Sequence, residues 1–175
     1  MDMPLPVLVD DAPHDDMAAE REAPALACML EYAANTFIAL PIHAGVELVE
    51  QPRLVPVPGM PYFCRGLLAW QGRQLPLVDL QDYLGGMNAP TPPSASHVLV
   101  VAYQVAPGAA IEYGAFCAPF LIRMVEVVDR DQCTLPAGQA CWARIAISCF
   151  LYQGRAVPVL EPSRIFTLPV SPAIP

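Results

Sequence analysis

The sequence predicts an all-β fold of two similar subdomains, and three observations carry that prediction. The first is its 21 prolines in 175 residues, which break long helices and favour short strands with many corners. The second is an internal duplication. FIALPIHAGVELVE at 37–50 returns as FCAPFLIRMVEVVD at 116–129, and QGRQLPLVDL at 71–80 returns as QGRAVPVLEP at 153–162. The offsets, 79 residues (37 to 116) and 82 residues (71 to 153), differ by a three-residue insertion. A period this long suits two related subdomains rather than a solenoid. The third is the stretch 55–85, VPVPGMPYFCRGLLAWQGRQLPLVDLQDYLG, which reads as a strand hairpin leading into one helical turn.

Taken in order, residues 1–27 form an acidic, proline-bearing tail, expected to be disordered: seven acids stand against Arg21 alone in residues 1–22, a balance of −6. The rest of the chain has ten acids and eight arginines, a balance of −2, and the protein has no lysine. The body is therefore nearly neutral and has no basic stripe for phosphate contacts, which excludes nucleic acid as the expected partner. No apolar run reaches the roughly 18 residues that would span a bilayer, so no membrane insertion is expected. The acidic start lacks the features of a signal peptide, and the six cysteines include no CxxC pair. Reduced thiols packed as small core residues, in a cytoplasmic protein, are the reading these features support.

Residues 28–40 should carry the first strands, turning at Asn35-Thr36, and 46–50 the next. Residues 52–61, with Pro58 and Gly59, are expected to be irregular. The hairpin follows, 64–70 and 74–80 around Gln71-Gly72-Arg73, where Gly72 can take positive φ without steric cost. A helical turn at 80–84 is stopped by Gly85-Gly86. Residues 88–96, NAPTPPSAS, form the linker, so that lobe one spans about 28–87 and lobe two about 97–166. Within the second lobe, strands are predicted at 97–103, 111–116, 124–129, 145–152 and 156–160. A turn is expected at Pro107-Gly108, a loop at 131–140, a helical turn at 162–166 and a frayed tail at 167–175.

The search for chemistry finds little. His14, His43 and His97 have no ligand spacing to cysteine or carboxylate, and no metal or cofactor is implied. The nucleophile-elbow, phosphate-loop and zinc-protease motifs are all missing. Asp79 is the best acid–base candidate; capping the turn that starts at Leu80 is the plainer account of the same residue. Trp70 and Trp142 could anchor an interface or pack half-buried beside their neighbours. Val46 and Val49 alternate imperfectly with Glu47 and Glu50; one of these faces can be a receptor-facing surface, while core is the plainer account of each aliphatic.

The order of these words resembles the CheW-like domain of bacterial chemosensory adaptors. They are Ala39-Leu40-Pro41-Ile42, Glu47-Leu48-Val49, Pro58-Gly59-Met60-Pro61 with Phe63-Cys64-Arg65-Gly66, and Leu77-Val78-Asp79-Leu80 with Leu84-Gly85. The resemblance covers about residues 28–166. It implies two five-stranded SH3-like β-barrels and a non-enzymatic adaptor. Such an adaptor couples the cytoplasmic tips of methyl-accepting chemoreceptors to the regulatory domain of a histidine kinase. Val46, Glu47, Val49, Trp70 and Arg73 are then the expected partner-binding residues, and Pro58, Gly66, Gln71, Gly72 and Asp79 the structural motif. One departure stands out: the family usually has Asn-Leu-Arg-Gly where this chain has Ala69-Trp70-Gln71-Gly72. The missing arginine would pair with the acid matched by Glu47, and its loss points to a divergent pathway such as type IV pilus twitching. Two other readings compete: a regulatory decoy that binds only the kinase, and a small β-barrel enzyme using Asp79 and a histidine.

Overall fold

The computed structural model describes residues 23–85, 96–118, 122–138 and 141–167. Residues 1–22 of the tail expected at 1–27, nearly all of the linker 88–96 and the C-terminal end after residue 167 lie outside the described residues. Among the described residues, eleven strands form two sheets. β1 (Ala25–Ala33), β2 (Thr36–Pro41), β9 (Ile122–Val127), β10 (Ala146–Tyr152) and β11 (Arg155–Leu160) make a five-stranded sheet in the order β10-β11-β2-β1-β9. β3 (Gly45–Glu50), β4 (Leu54–Val55), β5 (Cys64–Trp70), β6 (Arg73–Val78), β7 (His97–Tyr103) and β8 (Glu112–Cys117) make a six-stranded one, β3-β7-β8-β6-β5-β4. Three short helices, α1 (Leu80–Gly85), α2 (Trp142–Ile145) and α3 (Pro162–Phe166), complete the fold.

The two sheets do not follow the two halves of the duplication. The first half gives β1 and β2 to the five-stranded sheet and β3 to β6 to the other; the second half gives β7 and β8 to the six-stranded sheet and β9 to β11 back. Pro41 and the 3-10 turn Ile42–Ala44 redirect the chain between sheets in the first half. Each exchange leaves one parallel pair, β11 with β2 and β6 with β8, among otherwise antiparallel ladders. Hydrophobic pattern identifies a strand but not the strand it will pair with, so repeat boundaries alone could not reveal this interleaving.

Three apolar clusters explain why the strands read as continuous apolar runs rather than alternating ones. In β7, Val98 and Val100 point into the six-stranded sheet's own core with Leu68, Trp70, Leu75 and Leu77. Leu99 and Val101 point the other way, into a central cluster with Leu30, Leu40, Phe116, Trp142 and Leu160, drawn from both sheets. β1 does the same: Ala27 and Met29 face Phe150 and Val157 in the five-stranded sheet, while Cys28 and Leu30 face the centre.

Local differences from the sequence reading have simple causes. β1 begins at Ala25, inside the segment expected as tail, because Ala25–Val127 to Leu30–Ile122 is a continuous ladder. The irregular 52–61 segment contains β4, whose two residues pair with Leu67 and Leu68 and supply the sixth strand. Ile145 closes α2 instead of opening β10. The strand expected at 124–129 is displaced, running from Ile122 to Val127 before a 3-10 turn at Asp129–Asp131. Both duplicated hairpins turn as predicted. Gln71 and Gly72 have φ +45° and +73°, and Gln153 and Gly154 have +50° and +76°, the paired positive values of a type I′ turn. Pro58-Gly59 is also a turn, with Gly59 at φ +79°.

Candidate functional site

β3 is the edge of the six-stranded sheet and pairs only with β7. Its register slips from Gly45–Val101 to Glu47–Val100, so Val46 is the extra residue of a bulge. Val46 and Leu48 stand out from this edge, 45% and 47% exposed. Leu48 is opposite Leu99, and cross-strand partners share a face. Leu99 enters the central cluster, so the exposed Leu48 borders the seam between the sheets. Leu54, Val55 and Val57 are further exposed aliphatics, on and beside β4.

The other face of β3 turns inward. Val49 is half-buried against the cluster that holds Trp70. Leu48, which sequence reasoning did not single out, is exposed beside Val46 on the same edge strand. Trp70 is only 9% exposed. Its ring packs beside Tyr113, with centroids 5.2 Å apart, and its indole N–H donates to the Glu47 carboxylate at 2.7 Å. Arg73, exposed at the start of β6, lies over the same Tyr113 ring, 5.0 Å from its centroid.

Gln71 does reach Glu47, as the sequence suggested, but through a longer contact of 3.4 Å from Nε2. Glu126 and Gln153, which the duplication makes the equivalents of Glu47 and Gln71, share no hydrogen bond; instead Arg123 on β9 donates to the Tyr152 hydroxyl on β10 at 3.2 Å. Trp70 and Tyr152 occupy equivalent positions, each immediately before its Gln-Gly turn. β3 and β5 sit near opposite ends of one sheet and β9 and β10 at the two ends of the other. One side-chain hydrogen bond thus helps close each sheet upon itself.

Asp79 is 3% exposed and caps α1, accepting from the backbone N–H groups of Gln81 at 2.9 Å and Asp82 at 3.3 Å. Its other oxygen accepts from Arg65 Nε at 3.2 Å and Nη2 at 3.0 Å. Arg65 also meets Asp82 at 2.6 Å. With every oxygen of Asp79 engaged in capping and ion pairing, this is a structural carboxylate. Glu161 repeats the role at α3, accepting from the Ser163 N–H at 3.3 Å. Gly66 has φ +125°, and a Cβ there would lie 2.6 Å from the Val55 carbonyl oxygen. Close approach of β4 over β5 requires glycine at that point.

Among the described residues neither His43 nor His97 hydrogen-bonds these aspartates: His97 hydrogen-bonds Ser96 at 2.9 Å and stands 4.0 Å from Glu50. Among the described residues no group of three or more His, Cys, Asp or Glu side chains could hold a metal ion, and no helix is long and apolar enough to cross a membrane.

Comparison with known proteins agrees with this architecture. A search of the curated proteins finds no match. The fold is similar to the scaffolding protein TtCheW from Thermoanaerobacter tengcongensis, with a TM-score of 0.66 at 11% identity, covering 87% of this chain and 99% of that one. The family model for the CheW-like domain matches residues 28–170. The chain belongs to the CheW-like domain family, a family of non-enzymatic scaffolds in chemosensory signalling.

Proposed function

We propose that this protein is a cytoplasmic adaptor that joins the cytoplasmic tip of a chemoreceptor to the regulatory domain of a histidine kinase. The observation that carries the reading is that Val46 and Leu48 both stand exposed on the edge strand, with Leu48 bordering the seam between the sheets. A receptor tip is a helical hairpin, and an apolar helix face lays aliphatic anchors into such a groove. Glu47 is tied to Trp70 beneath this edge, and Arg73 is an exposed cation farther along the same sheet, so the apolar pair has polar surroundings that can fix orientation. The kinase regulatory domain, built on the same fold, would dock barrel to barrel. Gln71 in place of the family's arginine supports a specialised pathway, such as pilus-based motility, over a standard flagellar one.

Immobilised full-length protein is incubated with a receptor cytoplasmic fragment and a kinase regulatory domain, singly and together. An adaptor retains both, and retains the receptor fragment when captured through the kinase. Retention of the kinase domain alone identifies a decoy that occupies the kinase, and retention of neither removes the proposal.

A further inference from the structure

Outside the candidate docking edge, the least explained chemistry is a pair of thiols. Cys133 lies in the segment that follows the 3-10 turn Asp129–Asp131, and Cys149 is on β10. Their sulfurs are in contact at 3.3 Å. The backbone already holds them side by side: the Cys133 N–H donates to the Cys149 carbonyl at 2.9 Å, and the neighbouring residues Gln132 and Phe150 form an antiparallel bridge. Bringing the sulfurs to a bonding distance of about 2.05 Å therefore needs side-chain rotation and no rearrangement of strands. The remaining cysteines are differently placed. Cys28 belongs to the central cluster and Cys117 to that of the six-stranded sheet, Cys64 contacts Met60 at 3.6 Å, and Cys141 packs against the central cluster.

We propose that Cys133 and Cys149 form a reversible intramolecular disulfide, with a low-molecular-weight disulfide as the oxidant. Cys133, the less buried of the two, attacks the small disulfide as its thiolate. One S–S bond breaks, one thiol leaves, and a mixed disulfide remains on Cys133. Cys149 then loses its proton and attacks the Cys133 sulfur, expelling the second thiol. The protein loses two electrons and two protons, and the oxidant becomes two thiols. Burial, with the Cys133 thiol beside it, pushes the Cys149 thiol up to about 12. The second step is slow for that reason, but the neighbour's contribution disappears once Cys133 is capped. Closure would pin the segment around Gln132 to β10. Gln132, Cys149 and Phe150 form one wall of a cavity of about 560 Å³ that also meets Leu26, Ile42 and Val127, so oxidation would fix that wall.

The test incubates full-length protein with glutathione disulfide, alkylates free thiols after denaturation, and maps the peptides. The expected product is a single Cys133–Cys149 link, reversed by dithiothreitol, with the other four of the six cysteines alkylated. Cys149→Ser should stop at one glutathione on Cys133, and Cys133→Ser should leave Cys149 free. Wild-type protein that stops at the mixed disulfide overturns the proposal, as do links spread over other cysteines.

Discussion

The indole N–H of Trp70 donates to the carboxylate of Glu47 at 2.7 Å, and this one bond joins β5 to β3, strands separated by three others in the same sheet. It occupies the position where the family's arginine would be expected to act. A tryptophan donor reaches the same acid without burying a second charge, and Gln71 adds a longer contact at 3.4 Å. The duplication repeats the device with different chemistry, Arg123 donating to Tyr152.

Trp70 rather than Gln71 should therefore control closure of the six-stranded sheet. Trp70→Phe removes a hydrogen bond to a charged group and some packing, and should cost roughly 1.5–3 kcal/mol. Gln71→Leu and Gln71→Arg should each stay within about 0.5 kcal/mol of the parent, as exposed substitutions do. Urea midpoints at constant m-value measure all three. A leucine variant weaker than the phenylalanine variant would return the principal role to Gln71.

The Arg65–Asp79–Asp82 cluster makes a pH-dependent prediction. Burial, with Asp79 beside it, holds Asp82 above the usual aspartate range even though Arg65 pulls the other way. Between its unfolded and its raised folded value, the native state binds more protons than the unfolded chain, so this group's contribution to stability falls as pH rises through that window. Asp82→Asn removes that decline and should match or exceed the parent at neutral pH, losing its advantage in acid. Asp79→Ala should instead cost roughly 1–3 kcal/mol, because it deletes the α1 cap and one partner of Arg65. Thermal melts across the acid range compare the two; an Asp82→Asn protein that is strongly destabilised at neutral pH would reverse the sign assigned here.

Gly66 should tolerate no side chain. In Gly66→Ala the added Cβ would meet the Val55 carbonyl oxygen at 2.6 Å on a backbone with φ +125°. The expected cost is roughly 1–3 kcal/mol. The two-residue β4 should peel away first, since only its ladder to Leu67 and Leu68 holds it to the sheet. Hydrogen exchange would then be accelerated around Leu54 and Val55 while β7 stays protected. Unchanged exchange at those two residues would contradict the close approach.

Much of this was legible in the sequence, for reasons that differ by residue. The Gln71-Gly72 and Gln153-Gly154 turns were readable because glycine's positive φ is a local property. Asp79 was readable as a cap because capping needs only the next three residues. The exchange of strands between halves was not, since the apolar run of β7 is satisfied by any two flanking cores. The shorter of the two donors to Glu47, Trp70, was missed for a related reason. Trp70 and Gln71 are adjacent, and only the curl of the sheet determines which reaches across. Leu48 was missed because the bulge at Val46 blurs the alternation that would have paired them.

The docking edge gives the sharpest test of function. Val46 is an unpaired bulge residue and is 45% exposed, so Val46→Asp should leave the fold intact and shift stability by about 0.5 kcal/mol or less. Leu48→Asp, on the same edge, should behave alike. If a receptor fragment lays an apolar helix face on this edge, either charge must be desolvated on binding without a partner, at a cost of several kcal/mol. At about 1.4 kcal/mol per tenfold, retention of the receptor fragment should fall at least a hundredfold. Kinase-domain binding should persist if the kinase docks barrel to barrel away from this edge, as proposed. Val49→Asp serves as the contrast: its side chain packs against the Trp70 cluster, so it should lower stability as well as binding. Titration calorimetry with each fragment, beside a thermal melt, separates the outcomes. Val46→Asp and Leu48→Asp proteins that fold normally and bind the receptor fragment as the parent does would move the receptor surface elsewhere on the molecule.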